Sequence, residues 1–82
     1  MNIELETGDR YRVDHIEVWY EHGIDWCADA VDEKGDYIEG TADYSATRKL
    51  AIERSLINFP NVDIQVFSKT YRRKLWTIKG VK

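Results

Sequence analysis

One cysteine, one proline and no long apolar run set the first bounds on this chain. With Cys27 alone, no internal disulfide can form, and a reducing, cytoplasmic compartment is expected. No apolar stretch approaches the roughly 20 residues of a membrane-spanning helix, so a membrane is not an expected partner. The opening residues Met1-Asn2-Ile3-Glu4-Leu5-Glu6 carry neither the basic flank nor the apolar segment of a secretory signal. Metal-site spacings are missing too. His15, His22 and Cys27 fall in no CxxC or HExxH pattern, and no metal or other cofactor is expected. A glycine-rich phosphate loop is also absent. Cys27 paired with His15 or His22 is the only nucleophile-and-base combination of the right types. It lacks a glycine elbow, and Asp25 and Asp29 would raise the thiol pKa rather than lower it. Carboxylate pairs are so frequent that none is diagnostic of acid–base chemistry. The chain is therefore expected to be no enzyme, with no catalytic residue to name.

What is present is a globular composition in 82 residues, 43% hydrophobic and 33% charged, which suits a single domain spanning 1–82. Ten aromatics support so small a core, each able to bury about 150–250 Å². The net charge of −3 conceals a strong asymmetry. Residues 1–47 hold 13 acidic side chains against Arg10, Arg12 and Lys34, a balance of −10, whereas residues 48–82 hold nine basic ones against Glu53 and Asp63, a balance of +7. Such polarity points either to a charged partner or to two halves that neutralise each other.

Alternation of period two marks Ile16–Glu21 as a strand that extends back toward Arg10, with a bulge at Asp14-His15. His22-Gly23 is a turn, and Ile24–Val31 a second strand. Asp32-Glu33-Lys34-Gly35 reads as a hairpin loop with glycine in a left-handed position, leading to a third strand at Asp36–Thr41. Ser45 is the expected helix N-cap, with Asp43 as alternative. The helix Ala46–Phe59 would turn Ala46, Leu50, Leu56 and Ile57 to one side and stop before Pro60. Val62–Phe67 and Leu75–Lys79 complete a βββαββ order. The expected class is α+β: an antiparallel sheet of four to five strands with one helix packed on one face.

A single helix leaves the far face of the sheet to other uses. With Ile16, Val18, Trp26, Ala28, Ile64, Val66, Trp76 and Ile78 turned inward, the far face carries Cys27, Asp63 and Phe67 beside the candidate partner-binding set Glu17, Trp19, Glu21, Asp25, Asp29 and Glu39. Tyr37 is a further aromatic near it. Carboxylates four residues apart on a strand stand about 13 Å apart, and neighbouring strands repeat them about 4.8 Å away. This negative field would attract a protein surface built to handle nucleic acid. The alternative site is the last hairpin, where Lys69, Tyr71, Arg72, Arg73 and Lys74 could hold a nucleic-acid backbone and stack a base. A homodimer through the far face or an edge strand is a third arrangement.

From Ile24 to Ile78 the chain resembles two groups of small domains in which a hairpin feeds one helix and then a second hairpin. Ser45-Ala46-Thr47 opening the helix, Ile64-Gln65-Val66, a Lys/Thr turn and Leu75-Trp76-Thr77-Ile78 resemble short uncharacterised bacterial ββαββ domains. Length and element order are similar to those of small phage anti-CRISPR proteins. That second resemblance implies a non-enzymatic inhibitor that occupies the surface of a host protein complex, often one handling nucleic acid. It rests on element order and assigns no site residue.

Overall fold

The long alternating run of the sequence becomes the central strand of the sheet. In the computed structural model, which describes residues 2–4, 8 and 10–81, the elements are β1 (Asn2–Glu4), β2 (Arg10–Tyr20), β3 (Trp26–Asp32), β4 (Asp43–Ser45), α1 (Arg48–Asn58), β5 (Asp63–Phe67) and β6 (Lys74–Ile78). The sheet runs β4-β3-β2-β5-β6, and β1 pairs with the start of β2. The α+β class matches the expectation; among the described residues there is one helix and the strands number six, and the sheet is antiparallel except where β2 and β5 run parallel. That pairing follows from the route of the chain, which leaves β4 at one edge, passes through α1 and enters β5 on the other side of β2. A crossover of this kind delivers a parallel neighbour.

The register of β2 against β3 shifts between Val13 and His15, placing a bulge at Asp14. The extra residue lets Val13 and Ile16 share the buried side despite their odd spacing. Val13, Ile16, Val18, Ala28, Ala30, Ile38, Ala51, Val62, Ile64 and Val66 form the core, with Trp26, Ile52, Phe59 and Ile78 packed against it. Burying each isoleucine or valine contributes about 1.5–3 kcal/mol. The expected inward set is therefore correct for most members; Trp76 stays substantially exposed.

Three local expectations are corrected. Asp36–Thr41 is not a strand, since Tyr37 makes only an isolated bridge to Val31. The Thr41 hydroxyl accepts from the Ala30 amide (3.2 Å) and donates to the Ile38 carbonyl (2.7 Å), so a side chain takes the place of a ladder carbonyl there. Pairing resumes at β4, where Ser45 lies opposite Trp26. Because Ser45 is held in that ladder and buried, the helix starts later, and Thr47 caps it by accepting from the Leu50 amide at 3.1 Å. Asp43, also in β4, takes Arg54 at 2.8 Å. Finally, the helix does not bury Ala46, Leu50, Leu56 and Ile57. Ala51 and Ser55 are its buried residues, while Leu50 and Leu56 are exposed and Ile57 is 78% exposed. Small side chains let α1 sit close to a sheet surface that is itself made of Ala28 and Ala30. α1 packs across β2, β3 and β4, toward one edge of the sheet.

Candidate functional site

On the face opposite α1, strand parity places Glu17 and Trp19 of β2 directly across from Asp29 and Cys27 of β3. This is the expected outward set, yet Cys27 and Val31 are fully buried and Asp29 is only 9% exposed. They are screened by their own neighbourhood. Asp29 accepts from the Trp19 indole (3.3 Å) and from the Cys27 thiol (3.5 Å), which fixes the plane of the Trp19 ring. Burial first, and then the charge of Asp29, push the Cys27 thiol up to about 12. Buried and with its pKa raised, the thiol stays protonated at neutral pH.

Glu17 is the hub. Its side chain is 17% exposed, and both oxygens are engaged. Oε1 accepts from the Tyr37 hydroxyl at 2.7 Å and lies 3.5 Å from an Arg72 nitrogen; Oε2 lies 2.9 Å from His15 Nε2. His15 Nδ1 in turn meets Asp14 at 2.8 Å. Burial disfavours a charged His15 ring, but the hydrogen bonds and charges of Glu17 and Asp14 outweigh it and raise its pKa. Further along, Glu21 accepts from the Tyr44 hydroxyl at 2.5 Å, which raises the pKa of the phenol. Asp25, half-buried at the turn before β3, and the exposed Glu39 do not join this network.

Arg72, one of the cations of the candidate nucleic-acid hairpin, is folded back onto this face. Its guanidinium carbon lies 4.2 Å from the Trp19 ring centroid, 5.4 Å from that of Tyr37 and 5.8 Å from that of Phe67. Three rings and the Glu17 carboxylate thus surround one cation. Such contacts are attractive within about 6 Å, and at a half-exposed site the three together, led by the nearest ring, Trp19, contribute about 1 kcal/mol. The expectation of an open acidic face is therefore corrected at its centre: Glu17, Trp19 and Asp29 are engaged within the chain, and the basic half neutralises part of the acidic half through Arg72. Lys69 also turns inward, 4.7 Å from the Tyr20 ring. Tyr71, Arg73 and Lys74 remain exposed, Tyr71 by 91%.

The turn that delivers Arg72 is unusual in composition. Tyr71 and Arg72 both have positive φ, at 64° and 45°. Adjacent left-handed residues in a hairpin are normally Asn or Gly. Ser68 braces the loop: its hydroxyl donates to the Thr70 carbonyl at 2.5 Å and accepts from the Arg73 amide at 3.1 Å. Sequence reasoning placed Trp19, Phe67 and Tyr37 near one another but missed that Arg72 joins them. It also missed Tyr44, which covers Cys27, and Arg48, which lies 5.6 Å from the Trp26 ring and 5.1 Å from that of Trp76. Positive φ at Tyr71 and Arg72 has no signature in residue type, and no other signal in the chain announces it.

Among the described residues no group of His, Cys, Asp and Glu is arranged to hold a metal ion, and no helix is long and apolar enough to cross a membrane. Comparison with known proteins returned no match to a family model, a curated protein or a solved structure.

Proposed function

We propose that this chain is a non-enzymatic interaction protein of the cytoplasm that binds a basic surface of a host protein or complex through the sheet face opposite α1. In the reading suggested by the anti-CRISPR resemblance, it is a phage-encoded inhibitor. The observation that carries the proposal is chemical. The face already holds a cation between Trp19, Tyr37, Phe67 and Glu17, and the carboxylates of Asp25 and Glu39 stay outside that network. Aromatic rings among carboxylates are apt for arginine-rich partners, whose approach they would accelerate at low salt.

Asp25 and Glu39 are the right positions to test this. Asp29 is buried and hydrogen-bonded, so a lysine there would damage the fold and confuse the result. The double variant Asp25→Lys/Glu39→Lys leaves those bonds intact. Affinity capture from the native host is expected to retain a defined partner on the native chain at low salt. The double variant, with an unchanged far-UV spectrum, is expected to lose it. Equal capture by a folded variant would remove the proposal.

A second reading has one observation in its favour: Tyr71 is almost wholly exposed between the cations of the last hairpin. The hairpin Lys69, Tyr71, Arg72, Arg73 and Lys74 would then contact nucleic acid. Two of its four cations are turned onto the chain's own rings, which weakens the case. A mobility-shift titration at two salt concentrations decides it, and absence of binding at low salt ends it.

A further inference from the structure

The ring cluster on the far face has the make-up of a binding site rather than of a surface clip. Its rings are oriented before any cation arrives: Trp19 is held by Asp29 and Tyr37 by Glu17. The carboxylate at its base is positioned from two other directions, by Tyr37 and by His15. Arg72, in contrast, comes from outside this framework. It is carried by a turn with two consecutive left-handed, non-glycine residues, and its side chain remains 43% exposed. Apart from Phe67, which ends the strand leading into the same hairpin, the cage residues and Arg72 belong to different elements.

We infer that Trp19, Tyr37, Phe67 and Glu17 form a guanidinium-binding cage, that Arg72 is its built-in occupant, and that an arginine side chain of a protein partner takes its place. The inference rests on the proposed function, and it names the chemical group that the sheet face recognises. A guanidinium suits the cluster because it is planar, delocalised and weakly hydrated, so it can lie against rings and pair with a carboxylate together. Replacement is an exchange of like for like. The outgoing Arg72 swings into solvent on the hairpin, and the incoming arginine inherits the contacts to Trp19 and Glu17. Until then, the apparent affinity for an outside guanidinium is lowered by the fraction of molecules whose cage is closed. Tethered at the turn, Arg72 competes at an effective concentration of roughly millimolar or above.

The test uses the whole chain and a defined probe, N-acetyl-arginine methylamide, with N-acetyl-lysine methylamide as control. Binding is read from the Trp19 indole resonance in a two-dimensional nitrogen–proton spectrum. Arg72→Ala is expected to show a saturable shift with the arginine probe and to bind it about tenfold more tightly than the native chain. The lysine probe is expected to bind more weakly. Arg72→Gly removes the same side chain while relieving the left-handed turn, so it keeps the test valid if the alanine variant does not fold. Glu17→Gln combined with Arg72→Gly is expected to weaken the arginine response about two- to threefold, the share of the ion pair. The inference is overturned if a folded Arg72 variant shows no saturable shift, or if the native chain binds the arginine probe equally well. Should that happen while Asp25→Lys/Glu39→Lys still abolishes partner capture, the face is a docking surface without an arginine cage.

Discussion

If Arg72 closes the far face through its rings, then removing it should cost stability in a way that separates three contributions. Its contacts with Trp19, Tyr37 and Phe67 together contribute about 1 kcal/mol at a half-exposed site. The ion pair with Glu17, at 3.5 Å and partly solvated, adds only about 0.5 kcal/mol. Arg72→Ala should therefore cost about 1.5 kcal/mol, and lower the melting temperature by roughly 6–12 °C in a domain of this size. Alanine keeps the left-handed strain of φ 45°. Arg72→Gly relieves that strain of about 1–2 kcal/mol, offset by roughly 0.5–1 kcal/mol from the greater freedom of glycine in the unfolded chain. The glycine variant should thus be about 0.5–1 kcal/mol more stable than the alanine variant. In a Glu17→Gln background, Arg72→Ala should keep about two thirds of its cost, because only the ion pair has gone. Urea unfolding followed by far-UV circular dichroism measures all of these. Equal stability of the alanine and glycine variants would refute the strain assignment. Complete loss of the Arg72 effect in the Glu17→Gln background would show that the carboxylate, not the rings, holds the guanidinium.

Two further outcomes follow from other parts of the fold. His15 has a folded-state pKa above its ordinary 6.5, so the stability it adds is fully present below about pH 6.5 and is lost as the pH rises through the folded value. The stability difference between the native chain and His15→Gln should accordingly be larger at pH 5.5 than at pH 8.5, and a difference independent of pH would contradict the Asp14–His15–Glu17 arrangement. A methyl group at Gly80 would lie 2.7 Å from backbone atoms of Asn61 and Val62, which cannot yield as a side-chain tip could. Gly80→Ala should cost about 1–3 kcal/mol, and thermal melts showing no loss would disprove the clash.

Much of the framework could be read along the chain because it is written in local periods. Ile64 and Val66 alternate with polar neighbours, as do Ile16 and Val18, and a period of two can bury only one face of a strand. The bulge at Asp14 showed as a break in that alternation, and Pro60 marked the limit of the helix. The inward sheet residues, the single helix and the α+β class all follow from signals of this kind.

What packing decided lay beyond them. Leu50 and Ile57 of the helix face solvent, and the side that meets the sheet carries the buried Ala51 and Ser55 with Ile52 packed against the core. Ser45 had the right chemistry for a cap, but ladder pairing with Trp26 claimed it. By itself the sequence determined that acidic and basic halves coexist in one small domain. Only the tertiary structure decided that Arg72 turns back to lie between Trp19 and Glu17, because that contact needs two distant strands in register and a turn of reversed hand.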